Sequence, residues 1–487
     1  MKKKGEMTPM KKRSLLLCIL CTLCLLAGCA GEPAAPSAPS VPDMPALQGD
    51  ISKDWSFVTQ GDNGGIETVG LYVWDPNPAQ YPFWKACGYN LLQFCDRSWY
   101  WNSNTTAFES YLTNMQNGIK KAKEEGFAVN MLFFSNISQY EGPAATEPTG
   151  LGIKFHPDDE AALQARLDAL RVSLSYMSAV DSFTIIAGDP GGISNDMGEG
   201  DVHDFIKLAK AMAAVIREVY PDAEVNLNPW AVTMYETPNV SAAIADFWLG
   251  EGRLGQVLFE EPDLLGPDLG LELACHDYYR PLALKAYADA GAFPDELFPT
   301  RNQIQTLLSR GTERVWAWPY FLLDEADDGH AGVERTTLPQ LESRYITRYL
   351  KQIRESGFNG AIGNWSYAGY QTKMFNLYAF ARYCHDQSLT PEQLLGEFCC
   401  AIATPETRPA LLEVLKYIEN DSNFAQKTPS FLRQRKFEVT LQSDQEALDL
   451  LKTVLPNTDN QFPLPYSPAE YLADLAARLE WSMQLPQ

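Results

Sequence analysis

Phe127-Ala-Val-Asn-Met-Leu-Phe-Phe134 is an apolar run of strand length that breaks off into Ser135-Asn136. Runs of the same kind recur at Ile66–Val73, Tyr89–Phe94, Phe183–Ala187, Glu224–Leu227, Gln256–Phe259, Arg314–Ala317 and Gly360–Gly363. Near-continuous apolar runs of this length suit strands covered on both faces. Helix-like stretches separate most of them, among them 107–125, 158–177, 202–219, 301–310 and 338–356. Strand alternating with helix predicts an α/β protein, a (β/α)8 barrel of the TIM type. In that architecture the strand ends open onto one face, and that face carries the chemistry. Gln256–Phe259 is the sixth strand in this reading, and residues 262–299 are a long insertion after it.

The chain beyond residue 388 turns helical, at 391–401, 408–419, 444–454 and 468–484. Pro391 at a first helical position, after Thr390, marks the start. The organisation expected is a barrel over 55–387 and a C-terminal helical extension over 388–487.

The N-terminus reads as targeting sequence. Lys2, Lys3, Lys4, Lys11, Lys12 and Arg13 precede the apolar stretch Leu15–Leu26, which is short for a membrane span. Leu26-Ala27-Gly28-Cys29 resembles a bacterial lipobox. The resemblance implies a signal peptide over 1–28, cleavage ahead of Cys29 and diacylation of its thiol. Residues 29–54, with Pro33, Pro36, Pro39, Pro42 and Pro45 among Ala and Ser, cannot bury a core and read as an extended tether. The expected location is the extracytoplasmic face of a cell membrane, with the lipid anchor as the sole membrane contact.

A formal charge of −23 repels phosphate, which argues against nucleic acid as a partner. The five histidines show no metal-ligand spacing, and there is no dinucleotide fingerprint or phosphate loop, so neither a metal nor a cofactor is expected. Outside the signal and Cys29, the cysteines at 87, 95, 275, 384, 399 and 400 lack a disulfide-framework spacing and read as small buried apolar side chains. Nothing in the sequence sets the oligomeric state.

Polar and aromatic side chains gather where the runs end. Asp189, in Gly188-Asp-Pro-Gly-Gly192 after the fourth run, is the sharpest acid. Its glycines permit close ligand approach, although an aspartate there also suits turn amides. Glu260 and Glu261 follow the sixth run, and alternation lets at most one of them face the barrel mouth. Hydrolysis of a glycosidic bond needs two carboxyl groups, one protonated and one ionised, so Asp189 with Glu260 or Glu261 is the candidate catalytic pair. Trp74, Trp230, Trp318, Tyr320 and Trp365 offer flat faces for sugar rings. Asp75, Asp96, Asn136, Asn228 and Asn364 offer hydrogen bonds to hydroxyls, and Arg97 a grip on a carboxylate. An oligosaccharide or other glycan is the partner these residues suit. The alternative is a degenerate barrel that binds glycans without cutting them.

The segments Gly357-Phe-Asn-Gly-Ala-Ile-Gly-Asn364-Trp365 and Asn376-Leu-Tyr-Ala-Phe-Ala-Arg-Tyr-Cys-His385-Asp386-Gln387 resemble the last strand and exit helix of large barrel exo-glycosidases, the α-glucuronidases and β-N-acetylhexosaminidases. The families commonly carry Trp-Asp-Pro where this chain has His385-Asp386-Gln387. The resemblance implies the barrel and a glycoside hydrolase activity. Asp189 followed by Pro190 departs from the Asp-Glu pair of the hexosaminidases and is nearer the α-glucuronidase arrangement, with an acid on the fourth strand and a base on a later one.

Overall fold

Eight parallel strands close into a barrel in sequence order. They are β1 (Thr68–Val73), β2 (Leu91–Cys95), β3 (Ala128–Phe134), β4 (Ser182–Ile186), β5 (Glu224–Asn228), β6 (Leu269–Leu273), β7 (Val315–Ala317) and β8 (Gly360–Trp365). Closure is made by β1 on β8, with Thr68 opposite Gly360 and Val73 opposite Trp365. The coordinates are a computed structural model. They describe residues 55–98, 106–135, 157–186, 199–228, 261–267, 269–273, 301–311, 314–318, 341–365, 374–421, 436–458, 463–464 and 466–484.

The helices are α1 (Tyr81–Cys87), α2 (Thr106–Glu124), α3 (Glu160–Ser175), α4 (Glu199–Val219), α5 (Arg301–Ser309), α6 (Ser343–Ser356) and α7 (Met374–His385) around the barrel. The C-terminal region adds α8 (Pro391–Ile402), α9 (Arg408–Asp421), α10 (Asp444–Val454) and α11 (Pro468–Ser482). Local chemistry sets several boundaries. The Asp159 carboxylate accepts from the Ala162 amide at the start of α3. Thr390 and Gln393 form a reciprocal capping box ahead of α8, with Pro391 at its first position. Gly357, at φ 87°, ends α6 in the left-handed region that a side chain disfavours.

The sixth strand lies elsewhere than the sequence reading put it. β6 is Leu269–Leu273, inside the stretch read as an insertion, and not Gln256–Phe259. Leu269, Leu271 and Leu273 alternate with Gly270 and Glu272, which is the pattern of a strand with one wet face. Here the second face is the barrel interior.

Register divides the strand residues into two sets. Val69, Leu92, Phe94, Met131, Phe133, Ile185, Leu227 and Leu271 face the helices and join one continuous core with them. Burying each such side chain contributes on the order of 1.5–3 kcal/mol. The alternate positions face the barrel axis: in the paired registers Tyr72 stands beside Gln93 and Gln93 beside Asn130, Thr184 beside Asn226 and Asn226 beside Gly270, and Glu272 beside Trp316. Glycines make room low in the barrel. A Cβ on Gly270 would meet Asn226 Oδ1 at 2.0 Å, and one on Gly360 would meet Trp316 Cδ1 at 2.4 Å. At the strand starts Arg314 donates to Asn226 Oδ1 at 3.2 Å and pairs with Glu224 at 2.8 Å.

The helical extension is fixed to the barrel by buried ion pairs. Glu419 of α9 accepts from the Ser343 amide (3.1 Å) and hydroxyl (2.7 Å), the Arg344 amide (3.0 Å) and Arg344 Nε (2.9 Å), so it closes the start of α6. Arg382 of α7 donates to Glu397 of α8 at 3.2 Å, to Asp386 at 3.4 Å and to the Gln60 carbonyl at 3.0 Å. Cys87, Cys95, Cys384, Cys399 and Cys400 are buried free thiols. Among the described residues no helix is long and apolar enough to cross a membrane.

Candidate functional site

The barrel interior carries an acid that the sequence reading passed over. Glu272 of β6 is fully buried and hydrogen-bonded by three other strands. Gln93 Nε2 of β2 donates to its Oε2 at 2.8 Å, Thr184 Oγ1 of β4 to the same oxygen at 3.0 Å, and Asn228 Nδ2 of β5 to Oε1 at 2.8 Å. The network continues from Gln93 to Asn130 Oδ1 (3.1 Å) and from Asn130 to Ser182 (2.9 Å). A TIM-type interior is ordinarily filled by branched apolar side chains. A polar interior costs desolvation at every member, so each needs its partner.

Burial drives the Glu272 carboxyl up to about 7, against the pull of hydrogen bonds from Asn228, Gln93 and Thr184 that favour the ionised form. Its neighbours are amides and a hydroxyl. Among the described residues none contributes an opposing full charge. Amide nitrogens can only donate, so the Thr184 hydroxyl is the partner that can turn and accept once Glu272 is protonated. The carboxyl can therefore hold or release a proton near neutrality while staying hydrogen-bonded.

Aromatic side chains lead outward from this acid. The indole of Trp318, just past β7 and buried, donates to Gln93 Oε1 at 2.9 Å. Its ring meets Tyr72 of β1 edge-on at 5.3 Å, and Tyr72 meets Trp74 edge-on at 6.5 Å. Trp74 is half-buried beyond the end of β1, with the Arg97 guanidinium 5.2 Å from its ring centre. Arg97 is ion-paired with the exposed Asp75.

The structure thus brings Asn228 and Trp318 together inside the barrel, and Trp74, Asp75 and Arg97 together at its rim. Asp96 is turned away. It alternates with Gln93 and Cys95, so it faces the helices, where it accepts from the Ser98 amide (3.0 Å) and hydroxyl (2.8 Å), and Ser98 in turn touches Ser173 of α3. It is a buried anchor between β2 and α3, not a group for the barrel mouth. Glu261 is also corrected. It precedes β6, caps the short turn Pro262–Leu264 and is exposed beside His203 at 3.6 Å. The expectation that it ends the sixth strand fails because that strand begins at Leu269. Asn364 and Trp365 close β8 at the register positions of Tyr72 and Val73. Asn136, Asp189, Trp230, Glu260, Tyr320 and the lipidation candidate Cys29 lie outside the described residues.

Among the described residues no group of three or more His, Cys, Asp or Glu is placed to hold a metal ion. No family model and no curated protein sequence matches the chain. The chain is similar in fold to solved structures. One titled CpGH84D is 9% identical with a TM-score of 0.47, over 86% of this chain and 70% of that one. The exo-β-1,4-mannosidase Op5Man5 of Opitutaceae bacterium strain TAV5 is 13% identical with a TM-score of 0.36, over 61% of this chain and 51% of that one. A sugar phosphate isomerase/epimerase of Parabacteroides distasonis is 11% identical with a TM-score of 0.34, over 65% and 95%. Likenesses this distant concern the barrel alone, and one barrel hosts unrelated chemistries.

Proposed function

We propose that this chain is a glycoside hydrolase whose β6 carboxyl is Glu272, held at the outer face of a cell membrane by a lipid on Cys29. The observation that carries the reading is a fully buried carboxyl inside the barrel, bonded to Gln93, Thr184 and Asn228, with Trp318 bonded in turn to Gln93. Buried charge without a counter-ion is a poor stability device. An acid poised near neutrality is suited to giving a proton to a leaving glycosidic oxygen. Asp189, which follows β4 in the sequence, is the second carboxylate that such hydrolysis requires. The rim residues Trp74 and Arg97 suit a sugar ring and its polar groups. Glu272 is fully buried, so a substrate must displace side chains to reach it, and Trp318, bonded to its partner Gln93, is the candidate for that movement.

The test is release of reducing sugar from a panel of oligosaccharides by purified protein lacking residues 1–28. Glu272→Gln and Asp189→Asn should each lower the rate at least 100-fold, the scale of general acid–base catalysis. Undiminished cleavage by both variants ends the assignment. A second reading, binding without cleavage, is favoured by Glu272 being the one acid in the interior network among the described residues. Saturable glycan binding with no sugar released would select it. For the anchor, Cys29→Ala should move the protein from the detergent phase to the aqueous phase, and unchanged partitioning would remove that part of the proposal.

A further inference from the structure

Glu272 and Trp318 are joined through a single side chain. An indole N–H can only donate, so the bond from Trp318 fixes Gln93 with its Oε1 toward Trp318 and its Nε2 toward Glu272. Gln93 is fully buried, and its amide hydrogens are committed to Glu272, Asn130 and Thr184. The carboxyl on one side and the indole on the other therefore act on the two ends of one polarisable amide. A bond from Gln93 to an ionised Glu272 is charge-assisted, and it polarises the amide so that Oε1 accepts more strongly from Trp318. Neutral Glu272 relaxes both bonds.

We propose that Gln93 is a positioning residue that couples the protonation of Glu272 to the seating of Trp318, so that a ring-bearing ligand which displaces the indole also drives Glu272 to take up a proton. The coupling runs in both directions, as linkage requires. Moving Trp318 off Gln93 frees the amide to turn, which weakens a donor that stabilises the carboxylate. The acid then holds its proton as the ligand arrives, which is the state a leaving oxygen needs. This last step rests on the glycosidase reading. The coupling itself does not, because it is a property of the ligand-free chain.

Among the described residues, β1 presents Tyr72 to this unit, β2 Gln93 with Cys95 next along the strand, β3 Asn130, β4 Thr184, β5 Asn228 and β7 Trp316. Of these only Tyr72 and Cys95 titrate, and burial pushes the Cys95 thiol up to about 12. A transition near neutrality that is lost in Glu272→Gln belongs to Glu272.

The experiment follows tryptophan emission of the ligand-free protein from pH 5 to 9. The wild-type protein should show one transition near neutrality, and it should be lost in Trp318→Phe, which identifies the reporting indole, and in Glu272→Gln, which identifies the titrating group. Gln93→Leu should lose it with both ends intact and circular dichroism unchanged. Thr184→Val removes a different donor from Glu272 and leaves the link, so the transition should persist with its midpoint moved to higher pH. A wild-type protein without the transition, or a folded Gln93→Leu variant that keeps it, overturns the proposal. If Gln93→Leu does not fold, a transition surviving Glu272→Gln or Trp318→Phe does the same. Absence of hydrolysis with the fluorescence link intact would remove the catalytic reading and leave the coupling standing.

Discussion

Two buried acids of this molecule are treated in opposite ways. Glu397, where the helical extension meets the barrel, has the Arg382 guanidinium at 3.2 Å and the Tyr378 hydroxyl at 2.5 Å. Glu272, at the centre of the barrel, has two amides and a hydroxyl. Burial raises both carboxyls, Glu397 in spite of its guanidinium neighbour. At the seam the ion pair holds two parts of the chain in register, and Arg382 also ties down the carbonyls of Val58 and Gln60. In the barrel there is nothing for a charge to hold together that an apolar layer would not hold better. The contrast separates an acid kept for architecture from one kept for its proton.

Substitutions at the two places should diverge. The largest effect is expected from Arg382→Met, which strands Glu397 and Asp386 without their cation. Urea denaturation should register a loss of about 3–5 kcal/mol, the usual result of breaking a buried pair from one side. A loss below 1 kcal/mol would mean that the seam is not held by charge.

Glu272→Gln should show itself as a pH dependence. The folded chain holds the Glu272 proton to about 7 against an ordinary 4.5, so its contribution is complete below about pH 4.5 and is lost as pH rises through 7. A difference of that size corresponds to roughly 3 kcal/mol. Relative to the variant, wild-type protein should therefore weaken between pH 5 and pH 8 in parallel urea melts. Parallel stability curves for the two proteins would place Glu272 with the ordinary carboxylates. The smallest effect is expected at the rim. Asp75 is exposed, so Asp75→Asn should cost under about 1 kcal/mol and be masked by salt. A larger loss would make that ion pair part of the framework.

The barrel could be read from the sequence because most of its strands are largely apolar runs with few polar interruptions. Phe127–Phe134 or Phe183–Ala187 leave little else to be. The helical extension was legible at Thr390-Pro391, where the cap and the proline state a helix start directly. β6 was not legible. Leu-Gly-Leu-Glu-Leu alternates, carries a glycine and holds a charge, all of which argue against a fully buried strand. Placing the strand at Gln256–Phe259 then promoted Glu260 and Glu261 in place of Glu272. A collective signal was present. Gln93, Asn130, Thr184 and Asn226 each interrupt an apolar run once, on four successive strands, and one strand-borne acid to match them was the thing to seek. Asp96 misled for the opposite reason. A residue that follows a strand points by parity, and its parity with Phe94 sends it toward α3.

The pairing of large side chains with glycines low in the barrel separates Glu272 from the strand starts. Trp316 lies against Gly360 and Asn226 against Gly270, with Arg314 and Glu224 clasped beneath. The strand-start end of the interior is thus filled by interlocking side chains and an ion pair. Glu272 lies two residues further along β6 than Gly270, on the far side of that layer. Substitutions beyond the strand ends therefore leave the packed layer intact.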